Sequence, residues 1–417
     1  MKKELDLVIY LIKWFTFSLI IGILSGSASA VFLLMLEWAT KTREYNPFLI
    51  YFLPAGGFIV SLIYYFYGKE VSKGNNLILD EINSPKKVIK LRMAPMILFG
   101  TVITHLFGGS AGREGSGIQI GASIADQLSL IFKFNKSDRR IILISGMAAG
   151  FGSVFGTPLA GAVFGLEAAV LGRLKYEALI PAFLSAVIAD EVSKNWWGIV
   201  HPIYKINFFP EISIKNIIFA CLAGVIFGLT GKIFSLGLNF IKSLFSKYIK
   251  FSPYSAVIGG IIIVFLTKLL GTYDYNGLGL EIISKSFTSQ IFAEVFIFKI
   301  LFTLITLGSG YKGGEVTCLF FIGSALGNTL SRIIRLPMDL MAGMGLVSVF
   351  SAAANTPLAC IVMAMELFGD KIGIYAAVSC VVAYLFSGHT GIYDSQKVGW
   401  YKHFKLVSDR GKKLEDL

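Results

Sequence analysis

The chain has 417 residues, of which 55% are hydrophobic and 15% charged, and its mean hydropathy is +0.70. This composition excludes a soluble globular protein and is typical of a polytopic membrane protein. The net charge of +12 does not indicate a nucleic-acid partner, because the basic residues lie mostly between apolar runs, as in loops that face the cytoplasm and lipid head groups.

Apolar runs recur along nearly the whole chain. The first run, Leu5–Leu36, is too long for a signal peptide and predicts a long, tilted first helix. Many later runs fall short of the roughly 20 residues that a full span needs, and glycine and proline interrupt them. Paired short runs of this kind indicate half-helices that meet inside the bilayer. The later runs are Phe48–Tyr67, Met93–Phe107, Ile141–Phe155, Leu159–Leu171, Leu179–Ala189, Ile217–Ile241, Ala256–Leu270, Val295–Leu307, Leu319–Leu330, Leu340–Phe350, Ala359–Phe368 and Ile374–Phe386.

This pattern predicts one membrane domain over residues 1–417. We expect a first repeat at about residues 5–205 and a second at about residues 212–396. The charged tail, residues 400–417, is expected to be cytoplasmic and too short for a regulatory domain. Basic residues stand near both ends, which predicts cytoplasmic termini for a multi-pass protein of the bacterial inner (plasma) membrane.

Two pairs of segments show the repeat directly. Residues 156–167 match residues 355–366, with Thr, Pro, Leu, Ala, Val and Glu at the same positions, and Phe151 falls on Phe350 in the same register. Two glycine-rich loops further upstream also coincide, so we expect them to face each other across a pseudo-two-fold axis. The sequence alone does not show whether the halves are parallel or inverted. The glycines that coincide are Gly108, Gly112 and Gly121 with Gly310, Gly314 and Gly323.

The first glycine-rich loop, residues 108–121, lies between two apolar runs and carries an acid, Glu114. Lipid cannot satisfy the backbone N–H groups of such a loop, so it must line a protein cavity or a water path. A loop that enters a helix N-terminus is also an anion site, because free N–H groups and the positive end of the helix dipole converge there. We expect ionised Glu114 to occupy this anion site and to leave it when protonated, which couples protons to anions. The alternative is a salt bridge from Glu114 to Arg113.

Other polar side chains are candidates for anion binding. Asn75 offers an amide donor, although asparagine is also a common turn residue. Tyr393 follows the last apolar run and offers a phenol donor, with anchoring at the membrane interface as the alternative. In the second glycine-rich loop, Glu315 is a second acid and Thr317 is a hydroxyl donor close by. The alternative for Glu315 is a pair with Lys312 near the surface.

Two acids, Glu167 and Glu366, end the repeated segments symmetrically. That symmetry favours a structural role over transport, either as helix caps or as partners in a polar interface.

Enzyme and metal-site motifs are missing from the sequence. It contains no nucleotide-binding glycine loop, no catalytic-serine motif and no zinc-protease motif. The four histidines are too dispersed for a metal site. We therefore expect a secondary transporter without cofactor or metal, not an enzyme or an ATP-driven pump. The cysteines, expected to be reduced core thiols, are Cys221, Cys318, Cys360 and Cys380.

Taken together, these residues resemble the CLC family of chloride channels and anion/proton antiporters. The segment Gly112-Arg113-Glu114-Gly115-Ser116 is similar to the family's gating-glutamate motif, Gly-Lys/Arg-Glu-Gly-Pro. The second loop, Gly314-Glu315-Val316-Thr317-Cys318, stands at the position of the family's Gly-x-Phe-x-Pro motif. The segment Gly74-Asn75-Asn76 stands at the position of its Gly-Ser-Gly-Ile-Pro motif. Tyr393 matches the family's central tyrosine. Ser116 and Cys318 stand where the wider family has proline.

The departures resemble one branch of this family, the fluoride/proton antiporters CLC-F. Asn75 stands where chloride-selective members carry serine, and Glu315 with Thr317 replaces a hydrophobic pair. The resemblance implies an all-α polytopic membrane fold, a CLC-type inverted repeat with broken, tilted helices, and a homodimer with one pathway per subunit. It implies Glu114 as the gating and proton-carrying glutamate. The anion-binding residues that it implies are Asn75, Gly112, Gly115, Glu315, Val316, Thr317 and Tyr393.

The expected function is therefore the export of fluoride in exchange for protons. Fluoride enters cells as neutral HF and is trapped when it ionises, so an inward proton gradient is a suitable driver for its export. The expected partners are fluoride, protons, the lipid bilayer and a second copy of the chain. The alternative is a chloride channel or chloride/proton antiporter of the same fold. A receptor or scaffold that transports nothing would leave the duplicated loops unexplained.

Overall fold

This computed structural model describes residues 2–417, except for the side chains of residues 2, 3 and 405. Sixteen α-helices make up most of this part of the chain. Two strands of two residues each pair in parallel, so the predicted all-α class holds apart from this short pair. The helices are α1 (Lys2–Tyr45), α2 (Leu53–Tyr67), α3 (Asn75–Asn83), α4 (Met93–Leu106), α5 (Glu114–Ile131), α6 (Lys136–Phe155), α7 (Pro158–Glu167), α8 (Leu179–Glu191), α9 (Ile214–Tyr248), α10 (Ser252–Leu270), α11 (Leu280–Thr288), α12 (Val295–Gly308), α13 (Val316–Leu330), α14 (Met338–Ala354), α15 (Pro357–Phe368) and α16 (Gly373–Phe386). The strands are β1 (Val170–Leu171) and β2 (Lys397–Val398). Shorter helical turns are Pro47–Phe52, Tyr176–Ala178, Val192–Trp196, Asp370–Ile372, Phe404–Asp409 and Leu414–Asp416.

The helices differ widely in length. Within the described chain, four helical segments are long and apolar enough to cross a membrane. Helix α1 has 44 residues. At 1.5 Å per residue it extends about 66 Å, roughly twice the thickness of the bilayer's hydrocarbon core, so it must tilt if it spans the bilayer. The prediction of a long first helix is confirmed. The four long segments are Glu4–Tyr45, Pro47–Tyr67, Ile214–Tyr248 and Ser252–Leu270.

The packing of helices α1–α8 recurs in helices α9–α16. Helix α5 packs against α6 as α13 packs against α14, α6 packs against α8 as α14 packs against α16, and α1 packs against α8 as α9 packs against α16. The chain therefore folds twice into the same arrangement of eight helices, as the sequence repeat predicts.

The two arrangements run in opposite directions. The carboxylate of Glu366, near the end of α15, accepts hydrogen bonds from the backbone N–H groups of the second and third residues of α7, Leu159 and Ala160. Glu167, at the end of α7, accepts from the same two positions of α15, and the four distances lie between 2.7 and 3.1 Å. Because each helix ends where the other begins, α7 and α15 are antiparallel and the repeats are inverted. The prediction that these two acids are caps is confirmed.

Small residues let neighbouring helices within a half approach closely, and aromatic rings pack where the two halves meet. A Cβ atom on Gly323 would lie 2.1 Å from the carbonyl oxygen of Gly345, so α13 and α14 can approach this closely only with glycine there. Phe151 and Phe350, which coincide in the repeat, stack with ring centroids 6.2 Å apart. Phe164 packs against both rings, with centroids 4.6 and 6.0 Å away. The pseudo-two-fold axis therefore passes through a buried aromatic cluster.

The tail after α16 folds back onto the membrane domain. The buried ammonium group of Lys402 donates hydrogen bonds to Asn355 Oδ1, to the carbonyl oxygen of Tyr384 and to Ser387 Oγ at 2.6 to 2.8 Å. Further along, Lys413 forms an ion pair of 2.7 Å with Asp80 on α3. The tail therefore packs against the same end of the molecule as α3.

Candidate functional site

The two glycine-rich loops meet at the centre of the molecule. The N–H group of Gly112 donates to the carbonyl oxygen of Gly314 at 2.6 Å, and the N–H of Gly314 donates to the carbonyl of Gly112 at 2.8 Å. A Cβ atom on Gly112 would lie 2.9 Å from the backbone nitrogen of Thr317. The absence of a side chain at this crossing lets the start of α5 approach the start of α13.

Glu114, the first residue of α5, lies at that crossing and is fully buried. Its Oε2 accepts a hydrogen bond from the N–H group of Thr317 at 3.0 Å and another from the Thr317 hydroxyl. Arg113 Nε lies 3.3 Å from Oε1, so the salt bridge considered from the sequence is also present. The carboxylate thus occupies donors at the N-terminus of α13, where the helix dipole favours an anion.

Asn75 and Glu315 both lie next to Gly115. A Cβ atom on Gly115 would lie 3.1 Å from Asn75 Nδ2 and 3.5 Å from Glu315 Oε2. Among the described residues, neither Asn75 Oδ1 nor Glu315 Oε2 has a hydrogen-bond partner, although both atoms are buried. Gly74, with a φ of 56°, turns the chain into α3 so that Asn75 begins the helix. Glycine at position 115 therefore leaves open the space into which these two polar groups point.

Tyr393 reaches the same region from the segment after α16. Its hydroxyl is buried and has no hydrogen-bond partner in the part of the chain that the structure covers. The ring of Tyr393 meets the ring of Phe164 edge to face, with centroids 6.3 Å apart. A space of about 10 Å³ lies between Asn75, Phe164, Tyr393 and apolar neighbours. That volume is close to the smallest that holds one water molecule, and a small monoatomic ion has a similar size.

A larger cavity of about 440 Å³ leads to this region. Asn75, Glu315 and Tyr393 belong to its lining, together with four lysines. Lys73 is 3.5 Å from Asp80, which also binds Lys413 of the tail. Hydrogen bonds to Asp80 and Glu415 raise the pKa of Lys413 to about 12, so this tail residue stays charged. The four lysines in the lining are Lys73, Lys242, Lys250 and Lys312.

The structure brings the candidate residues into two adjoining groups. Glu114 and Thr317 meet at the loop crossing, where the buried Val316 begins α13 beside Gly112. The second group consists of Asn75, Gly115, Glu315 and Tyr393, next to the cavity.

The alternative pair between Glu315 and Lys312 is wrong, because no ion pair joins them within residues 2–417. The Lys312 ammonium lies over the ring of Tyr64 instead, 4.1 Å from its centroid. From the sequence, Lys312 was expected only as a partner for Glu315. A lysine in a glycine-rich loop at membrane depth was itself a signal of function. Gln119 was also missed: its amide donates to the carbonyl of Gly115 at 3.4 Å, and it lines the cavity.

Comparison with known proteins agrees with this geometry. The model of the voltage gated chloride channel family matches residues 56–388, most of the chain. The chain belongs to this family. A relative from Pseudomonas syringae pv. tomato, named a chloride/fluoride channel protein, is 47% identical over 413 residues, which are 98% of this chain and 91% of the relative.

Solved structures of the voltage gated chloride channel family have the same fold. A CLC-type fluoride/proton antiporter matches with a TM-score of 0.90 and 36% identity, over 93% of this chain and 98% of that one. A slow cyanobacterial Cl⁻/H⁺ antiporter matches with a TM-score of 0.76 and 24% identity, over 90% and 94% of the two chains. The predicted CLC fold and family are thereby confirmed.

Proposed function

We propose that this protein is a fluoride/proton antiporter that exports fluoride from the cytoplasm at the expense of the proton gradient. The observation that carries the proposal is the position of Glu114. Its carboxylate takes hydrogen bonds from the N–H and hydroxyl groups of Thr317 at the start of α13, where an anion would bind. A carboxylate and a fluoride ion therefore compete for one set of donors.

This competition couples the two ions. A proton that binds to Glu114 Oε2 neutralises the carboxylate, which weakens its attraction to the donors of Thr317 and to the guanidinium of Arg113. The neutral side chain then leaves, and fluoride takes the donors. When fluoride departs, Glu114 releases its proton and returns. We assign Glu114 as the gating and proton-carrying residue, with Gly112, Val316 and Thr317 forming the anion site around it.

The second group of residues forms the fluoride path between this site and the cavity. Fluoride is small, strongly hydrated and an avid hydrogen-bond acceptor, so it requires donors that replace its water. Asn75 supplies an amide N–H₂ group, Tyr393 supplies an O–H group, and protonated Glu315 supplies a further donor. Gly115 leaves room for the ion between Asn75 and Glu315. The Tyr393 hydroxyl and Glu315 Oε2, both buried without a partner among the described residues, and the Asn75 amide nitrogen beside Gly115 support the assignment.

The names of two similar proteins support fluoride as the anion. The 47% identical relative is named a chloride/fluoride channel protein, and a 36% identical solved structure is a CLC-type fluoride/proton antiporter. Because the first name also includes chloride, the second candidate function is a chloride channel or chloride/proton antiporter of the same fold. The amide of Asn75 and the acid Glu315 favour fluoride, because they add donors that the less strongly hydrated chloride does not require.

We propose that the cavity opens to the cytoplasm of a bacterial cell. Lys13 near the start of α1 is paired with Asp138 at the start of α6, beside Arg139, which bonds to the carbonyl of Lys87. The start of α1, the basic segment 86–92 and the basic start of α6 therefore share one face. Lys413 attaches the tail to α3 at the cavity. An excess of lysine and arginine marks the cytoplasmic face, so both termini and the cavity are assigned to it.

We also propose that the protein is a homodimer with one pathway in each subunit. Helices α7, α8, α15 and α16 pack on one another and form one side of the molecule. They expose apolar side chains that a second copy can cover. Both pathway groups lie within a single chain, which supports independent pathways. The exposed apolar residues of these helices include Leu159, Val187, Leu358, Met365, Val381 and Leu385.

Ion flux in liposomes tests the proposal. Purified protein is reconstituted, and an outward gradient of fluoride or of chloride is applied in turn while anion efflux and proton uptake are recorded. We expect rapid fluoride efflux that drives protons inward, with much slower chloride efflux. A preference for chloride would favour the second candidate, a chloride channel or chloride/proton antiporter. The absence of any ion flux would contradict both candidate functions.

A further inference from the structure

Lys312 is a charged residue that the proposed exchange cycle does not use. It lies in the loop between α12 and α13, three residues before Glu315, and its side chain lines the 440 Å³ cavity. The ammonium group faces the ring of Tyr64 at 4.1 Å from the centroid. Over residues 2–417, no carboxylate lies within 4.0 Å of it. Lys312 is thus a half-buried cation whose close contact is an uncharged ring.

The position of Lys312 is determined by its neighbours rather than by an ion pair. The hydroxyl of the preceding Tyr311 donates to the carbonyl of Leu53 at 2.8 Å and attaches the loop to α2. A Cβ atom on Gly100 would lie 2.9 Å from Lys312 Cβ, so the glycine on α4 makes room for the lysine stem. Neutral groups on α2 and α4 therefore hold the side chain in the cavity wall.

Charges along the cavity are unbalanced. Of the four lysines in the lining, Lys73 is paired with Asp80, whereas Lys242, Lys250 and Lys312 have no carboxylate within 4.0 Å among the described residues. Among the described residues, Glu315 is the one acid in the lining. A half-buried ammonium without a counter-charge is costly, and the face of an aromatic ring offsets only part of that cost. A mobile anion in the cavity would offset more of it.

We infer that Lys312, held over Tyr64, is a capture site for small monovalent anions in the cytoplasmic cavity. This site is separate from the Thr317 donors that Glu114 occupies and from the hydroxyl of Tyr393. An anion that arrives from solution rests beside the ammonium group and then moves to Asn75. Lys242 on α9 lines the same cavity and extends its positive surface. This inference rests on the proposed transport of anions through the cavity.

Substitution of Lys312 tests the inference. Lys312→Met keeps the length of the side chain and its contact with Tyr64, and it removes the charge. We expect the half-saturating internal fluoride concentration to rise on the order of tenfold, the scale of one lost charge near the surface of a protein. The maximal rate and the fluoride-to-proton ratio stay the same, because Glu114 is untouched. Lys312→Arg keeps the wild-type concentration dependence.

Lys268→Met is the matched control. The Lys268 ammonium also lies over tyrosine rings, 5.0 Å from the centroid of Tyr51 and 5.5 Å from that of Tyr273, but outside the cavity. This variant likewise removes an ammonium charge from the face of tyrosine rings, and we expect wild-type fluoride kinetics. An equal change in both variants would assign Lys312 a structural role, and an unchanged half-saturating concentration in Lys312→Met would overturn the inference directly.

Chemical restoration of the charge separates electrostatics from folding. In Lys312→Cys, a methanethiosulfonate reagent that adds an aminoethyl group rebuilds an ammonium group close to its original position. We expect it to lower the raised half-saturating concentration, whereas a sulfonatoethyl group raises it further. Wild-type protein treated with each reagent is the control for reaction at the native cysteines. Of these, Cys318, Cys360 and Cys380 are buried and Cys221 is half-buried. Equal effects of the two reagents would contradict an anion site.

The test also distinguishes this inference from the proposed function. If wild-type protein transports chloride in preference to fluoride, the fluoride assignment fails, and the same series measured with chloride still tests Lys312. If wild-type protein exchanges fluoride for protons and Lys312→Met has the wild-type half-saturating concentration, only the capture site fails.

Discussion

At the scale of single residues, the proposed pathway contains buried polar groups that lack ordinary partners. Within the described chain, Asn75 Oδ1, Glu315 Oε2 and the Tyr393 hydroxyl are buried without a hydrogen bond. Most buried polar atoms in proteins are satisfied, so three such atoms close together require a partner that comes and goes. In the proposed function, the water that accompanies a transported anion donates to the two acceptor oxygens, and the Tyr393 hydroxyl donates to the anion itself.

Replacing Asn75 with serine tests the role of the amide. A serine hydroxyl provides one donor on a shorter side chain, so fluoride loses a hydrogen bond while chloride loses less. A hydrogen bond to a charged group contributes about 1.5–3 kcal/mol, so we expect the fluoride-to-chloride rate ratio to fall by roughly tenfold. The measurement is initial efflux from liposomes loaded with each anion.

Asn83→Ser, on the last residue of the same helix, is the control for the Asn75 variant. Asn83 bonds to the carbonyl of Ala169, away from the cavity lining, so its loss leaves the rate ratio unchanged. An unaltered ratio in Asn75→Ser would mean that Asn75 only turns the chain into α3.

At the scale of helices, the sequence predicted several features of the fold. The repeat of residues 156–167 in 355–366 predicted that α7 and α15 are equivalent, and the symmetry of Glu167 and Glu366 predicted their capping. The direction of the repeats was not readable, because a repeated pattern is the same whether the copies are parallel or inverted. It required the contact between the end of one helix and the start of the other.

Glu366→Gln and Glu167→Gln test the reciprocal caps. A glutamine has one acceptor oxygen and no charge, so each variant leaves a helix N-terminus less well satisfied. We expect each to reduce the free energy of unfolding by about 1–3 kcal/mol, the cost of an unpaired buried group. Thermal unfolding of the purified protein in detergent measures this loss.

The fluoride-to-proton ratio of the two cap variants stays at the wild-type value, because neither acid belongs to the pathway. Glu281→Gln, which removes an exposed carboxylate paired with Lys285 on α11, controls for the loss of a surface charge and leaves stability nearly unchanged. A changed ratio in either cap variant would assign these acids to proton transport instead.

At the scale of the whole molecule, the sequence predicted the family and the membrane class, and the roles of the candidate site residues stay a prediction. It could not predict where loop side chains point, and Lys312 shows why. Spacing along a chain does not determine direction in an irregular loop, so the lysine faces Tyr64 rather than Glu315. The ion pair of Lys413 with Asp80 was unreadable for a similar reason, because 333 positions separate the two residues. The division of the chain at about residues 205 and 212 stays a prediction.

A linked dimer tests the assignment of one pathway to each subunit. Two copies are joined covalently, with Glu114→Gln in one of them. Because every pathway residue lies within one chain, we expect about half of the proton-coupled fluoride flux of the linked wild-type dimer to remain. Complete loss would indicate a pathway shared between subunits, and a linked wild-type dimer with full flux is the control.

Glu114→Gln, measured as proton uptake driven by a fluoride gradient, tests the central claim most directly. Glutamine keeps the shape of the side chain and removes its titration, so no proton can release it from the donors of Thr317. Size-exclusion chromatography first verifies that the variant is folded, which separates a lost carrier from a broken salt bridge with Arg113. We expect wild-type protein to acidify fluoride-loaded liposomes as fluoride leaves and a folded Glu114→Gln protein to move no protons. Proton uptake against fluoride by the folded variant would contradict the mechanism.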